Sequence, residues 1–348
     1  MVVGMTVAVD CTGGDEGEGP NVAGAVQAAK DFGIAVALVG RPERIEAELA
    51  KHATAGLSLP IIEAPDEVEM DEHPAQAVRR KPQASINIAM KAVKEGSAAA
   101  MVSAGNSGAT MVAALFHLGR IEGIDRPAIG AIMPTLTGNL LLIDAGANTE
   151  VHPDYLIQFA QMGSIYMRTV RGVARPRIGL LSSGEEETKG TKIVQETHQL
   201  LRTTPGIHFI GNVEGKDLPK GACDVCVTDG FTGNVALKTA EGTASFMGAI
   251  LRRELTKSLP RKVFAALLRP AFRALRDELD PSREGGALLF GVDGVAVIAH
   301  GRSDARAIRN AIRVAKECVE GGAVEAIRAL HTRNEFEVRG SGFEENLE

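Results

Sequence analysis

One local pattern recurs along this chain and restricts its fold: an apolar, β-branched run ends in a Gly- and Asn-rich polar loop, and a helical periodicity follows. It is seen at residues 98–102, Ser103-Ala-Gly-Asn-Ser-Gly-Ala109 and 110–118, and again at 139–143, Asp144-Ala-Gly-Ala-Asn148 and 153–171. Residues 177–181, 182–190 and onward to Arg202 repeat it, as do 224–228, Asp229-Gly-Phe-Thr-Gly-Asn234 and a long helix beyond. Residues 5–64 read as βαβαβ, with Pro20 at the first position of a helix to Phe32. Strands alternating with helices predict an α/β fold, a mostly parallel, doubly wound sheet covered on both faces. In such a sheet the loops leave the carboxyl edge, where open α/β folds bind ligands. The four loops are therefore expected to wall one site.

A Gly-rich turn between strand and helix aims backbone N–H groups at one point and suits an anion. For any single loop, glycine that merely satisfies turn geometry is an equal alternative. Basic residues lie near these loops: Arg79, Arg80 and Lys81 in the polar segment 66–81, Lys189 at a strand-to-helix junction, and Lys238 one turn into the last helix. They suit a phosphate and a developing oxyanion. No GxSxG, HExxH or carboxylate cluster at metal spacing is present, so neither a metal nor a cofactor is expected.

Composition removes other classes. A net charge of −6 with 4% aromatic residues and no Trp argues against nucleic acid as a partner. No basic n-region or cleavage site opens the chain, and no uncharged apolar run approaches ~18 residues, so a cytoplasmic protein is expected. Cys223-x-x-Cys226 lies in an apolar run without a second half-site, and residues three apart on a strand face opposite ways. Buried structural thiols are the expectation.

Residues 252–283 differ from their surroundings. Nine basic residues against four acidic ones leave a surplus of five positive charges, and Val263, Phe264, Leu267, Leu268, Phe272, Leu275 and Leu279 recur at three and four. This predicts a basic amphipathic helical hairpin, broken at Pro260 and Pro270. It suits anionic lipid, an acidic partner or a dimer interface; a surface helix folded back on its own core is the alternative. One domain over 1–335, with this hairpin inserted and a polar tail at 336–348, is expected.

Six ordered motifs resemble those of the PlsX family, the bacterial phosphate acyltransferases of phospholipid synthesis. They are Val9-Asp-Cys-Thr-Gly-Gly-Asp15, Ser103-Ala-Gly-Asn-Ser-Gly108, Asp144-Ala-Gly-Ala-Asn148, Gly184-Glu-Glu-Glu-Thr-Lys-Gly190, Gly211-Asn-Val-Glu-Gly215 and Thr228-Asp-Gly-Phe-Thr-Gly-Asn-Val235. Cys11-Thr12 departs from the Ala-Met usual there, and the Cys-x-x-Cys pair replaces plain apolar residues. The resemblance implies a three-layer α/β/α dimer like isocitrate and isopropylmalate dehydrogenases and phosphotransacetylase. It also implies attack of inorganic phosphate on the thioester of a long-chain acyl group carried by acyl carrier protein. The acyl phosphate released would feed a glycerol-phosphate acyltransferase in the membrane.

On that reading Lys189, Asp229 and Asn234 are the expected catalytic residues. Phosphate and substrate contacts are expected from Asp10, Gly14, Asp15, Arg80, Lys81, Ser103, Gly105, Asn106, Ser107, Gly108, Asp144, Asn148, Gly230 and Lys238. The hairpin residues Arg261, Lys262, Phe264, Leu267, Leu268 and Phe272 are expected to meet the carrier protein or the inner face of the cell membrane, as in a peripheral enzyme. A different enzyme on this fold, such as a phosphotransacetylase, and a non-enzymatic membrane-recruited protein are the rivals.

Overall fold

The computed structural model describes residues 5–272, 274 and 281–330. The strands are β1 (Thr6–Asp10), β2 (Ala35–Gly40), β3 (Ile61–Glu63), β4 (Ala100–Ser103), β5 (Ala128–Thr135), β6 (Gly138–Ile143), β7 (Arg177–Leu181), β8 (His208–Val213), β9 (Val225–Val227), β10 (Ala287–Phe290) and β11 (Val295–Ile298). The helices are α1 (Glu18–Phe32), α2 (Pro42–Leu49), α3 (Pro74–Arg80), α4 (Ser85–Lys94), α5 (Ser107–His117), α6 (Pro153–Thr169), α7 (Lys192–Thr203), α8 (Gly230–Thr256), α9 (Leu259–Leu267) and α10 (Ala305–Glu320).

The strands pair in the order β3-β2-β1-β4-β11-β10-β5-β6-β9-β7-β8. Alternation sends Val7 and Val9 into one apolar cluster with α1, α6 and α10, and Ala8 into another with α4 and α5. A third cluster packs Ala236, Leu237 and Ala240 of α8 on Leu140, Leu142 and Cys226. Both faces of the sheet are therefore covered, which gives three layers.

The sheet is mostly parallel, but its parallel strands form two blocks. β3, β2, β1, β4 and β11 run one way; β6, β9, β7 and β8 run the other. The reversal occurs where β10 pairs antiparallel to β11 and β5, and β5 antiparallel to β6. The expectation that all four loops share one parallel edge is thus corrected: the loop after β4 leaves in the opposite direction from those after β6, β7 and β9. Strand direction depends on which distant strands pair, and local periodicity does not encode that.

Register brings the loops back to one level. A single row of partners crosses all eleven described strands: Ile61, Leu38, Val9, Val102, Val297, Leu288, Gly130, Ile143, Val227, Leu180 and Asn212. β1, β4, β11 and β7 each end one residue beyond this row, and β6 and β9 end on it. The blocks are staggered, so their carboxyl ends meet at the same level. With strands about 4.8 Å apart, the four steps from β4 to β6 separate the two loop sets by roughly 19 Å.

Local differences have simple causes. The helix expected to start at Pro20 starts at Glu18, because the loop turns at Gly17 with φ 68°. The polar segment 66–81 ends in α3, which places Pro74 at a helix start. Cys223 and Cys226 are buried and unoxidised, as expected, but both lie in the same apolar cluster. Cys223 precedes the strand, so strand alternation does not apply to it. A hydrogen bond with Cys223 that favours the protonated thiol, together with burial, pushes Cys226 well above its usual range. Asp304 caps α10 by accepting from Ala307 N–H at 2.8 Å. Arg273, residues 275–280 of the hairpin and the tail lie outside the described residues.

Candidate active site

The loop after β1 and the loop after β4 are built around Asp10. Its buried carboxylate accepts from the hydroxyls of Ser85 at 2.6 Å, Thr12 at 3.1 Å and Ser103 at 2.8 Å, and Ser103 in turn accepts from Gly105 N–H at 3.0 Å. A Cβ on Gly13 would stand 2.7 Å from the Gly105 nitrogen, so the two glycine loops touch backbone to backbone. Gly14 adopts φ 106°, and Asp15 N–H binds the Gly301 carbonyl at 2.8 Å. Asp10 and Ser103 therefore shape this edge, and their polar atoms are taken by the protein.

Asn106 is committed too. Its Oδ1 accepts from Ala109 N–H at 3.1 Å, capping α5, and its Nδ2 donates to the carbonyls of Met70 at 3.0 Å and Glu72 at 3.3 Å. That fixes the start of α5 with Ser107 exposed and the N–H groups of Ser107 and Gly108 ahead of the first intrahelical bond. Of the basic trio, Lys81 donates to Glu72 at 2.7 Å and to the Glu67 carbonyl at 2.9 Å. This bond holds the Glu72 carboxyl below its ordinary range. Arg80 is exposed on α3.

The second loop set is built around Asp144. This fully buried carboxylate accepts from the N–H groups of Ile129, Gly146, Ala147 and Asn148 and from Asn148 Nδ2, all between 2.7 and 3.0 Å. Burial raises its pKa against those five bonds. Asn148 also donates to the Pro127 carbonyl at 2.8 Å and accepts from Gly230 N–H at 2.7 Å. Asp144 and Asn148, expected on phosphate, hold the loop together through these bonds. Asp229 caps α8, accepting from Thr232 N–H at 2.8 Å.

Of the expected site side chains, Arg80, Ser107, Lys189, Asn234 and Lys238 make no hydrogen bond or ion pair among the described residues. Lys189 is exposed, and its amine has no hydrogen bond or ion pair among the described residues. Ser107, Asn234 and Lys238, from opposite strand blocks, line one cavity of about 1190 Å³ in front of β5. Helix α8 carries Asn234 and Lys238 from the second loop set towards the first. His300, after β11, lines the same cavity and lies 3.5 Å from Glu241 of α8; that hydrogen bond raises its pKa. Sequence reasoning missed His300 and Glu241, which belong to no motif and meet only through the sheet order. A second cavity of about 740 Å³ lies behind Asp229, with Arg126, His152 and Thr191 in its lining. No group of three or more His, Cys, Asp or Glu residues able to hold a metal occurs among the described residues.

The profile of the family described as fatty acid synthesis protein matches residues 5–326. The chain belongs to this family. It is 49% identical over 325 residues to the phosphate acyltransferase of Desulfitobacterium hafniense (strain DSM 10664 / DCB-2), covering 93% of this chain and 97% of that one. The phosphate acyltransferase of Elusimicrobium minutum is 50% identical, over 93% and 95% of the two chains. Among solved structures, a phosphotransacetylase from Streptococcus pyogenes superposes with a TM-score of 0.59 at 16% identity, over 93% of this chain and 95% of that one. A 4-hydroxythreonine-4-phosphate dehydrogenase from Klebsiella pneumoniae gives 0.53 at 15% identity, over 91% and 99%. These two share the fold with members of the fatty acid synthesis protein family such as this chain.

Helix α9 of the hairpin projects its apolar residues. On α9, Leu259, Val263, Phe264 and Leu267 are exposed and no residue is buried. This corrects the alternative of a helix folded back on its own core. Arg261 returns to α8, donating to Glu254 at 3.0 Å. No described helix is long and apolar enough to cross a membrane.

Proposed function

We propose that this chain transfers a long-chain fatty acyl group from acyl carrier protein to inorganic phosphate, releasing acyl phosphate. The observation that carries the reading is that Ser107, Asn234 and Lys238, delivered by oppositely directed strand blocks, face one cavity. These groups position and neutralise; none of them is an activated nucleophile. Phosphate fits that chemistry, because a phosphomonoester-like second pKa of about 6 leaves it substantially dianionic near neutral pH. A phosphate oxygen attacks the thioester carbonyl, a tetrahedral oxyanion forms, the C–S bond breaks, and the thiolate leaves with the carrier and takes up a proton.

The N-terminus of α5, with Ser107 and Gly108, holds phosphate. Lys189 and Asn234 stabilise the oxyanion, and Asp229 orients the first turn of α8. The protein works as a homodimer at the cytoplasmic membrane surface. The exposed face of α9 docks there and presents product to a membrane acyltransferase that acylates glycerol phosphate.

The test supplies purified protein with palmitoyl-carrier protein and phosphate and traps acyl phosphate with hydroxylamine. Phosphate-dependent loss of thioester with hydroxamate formation is expected. Thioester that stays intact in the presence of phosphate overturns the proposal.

A further inference from the structure

The cavity in front of α8 is far larger than phosphate requires, and apart from Lys238, the His300–Glu241 pair and a few other polar groups its lining is mostly apolar. Ala236, Ala240, Ala244 and Gly248 of α8 line it one turn apart, hence on one face of the helix. Ala131 and Met133, which share a face of β5, line the opposite wall. Small side chains on the helix keep open a gap that Leu or Phe would fill.

Glu254, Arg283 and Glu284 also belong to the lining. From Asn234 to Gly248 the helix rises about 21 Å, at ~1.5 Å per residue. One acyl chain in a membrane spans about 15 Å, half of the roughly 30 Å hydrocarbon core. The cavity is therefore long enough for such a chain.

We propose that this slot is the acyl-chain site, with the thioester carbonyl at the Ser107 and Asn234 end, and that Ala244 and Gly248 determine the longest chain it accepts. This inference rests on the acyl-transfer reading above. Gly248 offers a direct probe, because a Cβ added there meets no protein atom within 4 Å. Gly248 is exposed and lines the slot, so a side chain at this position meets no steric obstacle in the protein.

The experiment compares kcat/KM for octanoyl-, dodecanoyl- and palmitoyl-carrier protein in the native enzyme, Gly248→Leu and Ala244→Leu. It also measures binding of the fluorescent fatty acid cis-parinaric acid to each. Each methylene that no longer fits costs roughly fourfold. The palmitoyl-to-octanoyl ratio is therefore expected to fall at least tenfold in Gly248→Leu, and the loss to extend to dodecanoyl in Ala244→Leu. Parinarate binding is expected to weaken in both.

An active native enzyme whose variants keep their chain preference and parinarate affinity overturns the slot and leaves acyl transfer standing. A native enzyme that binds parinarate, loses it in the variants, yet never consumes thioester keeps the slot and removes the acyl-transfer reading. Variants that change only the oligomeric state assign the slot to a second copy of the chain, which also overturns it.

Discussion

The backbone N–H of Gly230 donates to the carbonyl of Asn148 at 2.7 Å, joining the loop after β6 to the first turn of α8. The same contact leaves no room for a side chain. A Cβ on Gly230 would stand 2.7 Å from both the nitrogen and the oxygen of Asn148 and 2.8 Å from Asp144 Oδ2. Gly230→Ala is expected to lower stability by about 1–3 kcal/mol and to reduce turnover, because Asp229 and Asn234 flank the displaced turn. Urea unfolding and steady-state kinetics measure both, and a variant native in each would show that the loops are not coupled here.

Asp144 is the buried hub of that loop. In Asp144→Asn an amide donor must face N–H groups that now find an acceptor. The expected cost is about 2–3 kcal/mol, as for hydrogen bonds to a charged group. A melting temperature equal to that of the native protein would refute this account of the loop.

Lys189 is the opposite case, exposed and without a partner among the described residues. Removing it in Lys189→Ala should change stability by no more than about 0.5 kcal/mol. Turnover should fall by at least ~100-fold, as when one oxyanion donor is lost. Near-native turnover with an unchanged melt would exclude Lys189 from the site.

On α9, Phe264 and Leu267 are 67% and 73% exposed, a large fraction for apolar side chains on a basic helix. The double substitution Phe264→Glu with Leu267→Glu should abolish co-sedimentation with anionic vesicles. Binding equal to that of the native protein would leave the exposed face without a membrane role.

Asp224 and Arg177 form a bidentate pair, with Arg177 Nη2 2.8 Å from Oδ1 and Nε 3.2 Å from Oδ2. Burial alone would raise the Asp224 carboxyl, but the bonds from Arg177 prevail and hold it below its ordinary value of 3.8. A carboxylate depressed in the folded state stabilises above its unfolded value and loses that contribution as pH falls through the folded one. Native protein should therefore exceed Asp224→Asn by about 1 kcal/mol at neutral pH, allowing for solvent around the pair. The gap should close only below the ordinary carboxylate range. Urea unfolding at a series of pH values tests this, and a gap that is constant down to strongly acid pH would contradict it.

Much of the secondary structure was legible because its signals are local. Apolar runs marked β7 at 177–181, and the cap of α10 was legible at Asp304, whereas Asn106 and Asp229, read as loop residues, cap helices that start at Ser107 and Gly230 rather than beyond 109 and 234. The roles of the loop residues were less legible. Asp10, Asp144 and Asn148 stand in motifs that suit phosphate, yet Asp10 and Asp144 accept from donors that include the distant Ser85 and Ile129, and Asn148 donates to the carbonyl of Pro127 and to Asp144. A side chain's type shows what it is able to bind, whereas its neighbours decide what it does bind.

By itself the sequence determined the strand–loop–helix units, the basic amphipathic character of residues 252–283 and the motifs of the family, since each depends on residues within a few positions of one another. Only the tertiary structure decided that two parallel blocks run in opposite directions and stagger so that their carboxyl ends meet on the row through Gly130. That meeting joins Ser107 to Asn234 across one apolar cavity. It rests on pairings such as Val102 with Val297 and Val9 with Val102. Such register is settled by burying both faces of every strand at once, a condition on the whole sheet that no local window contains.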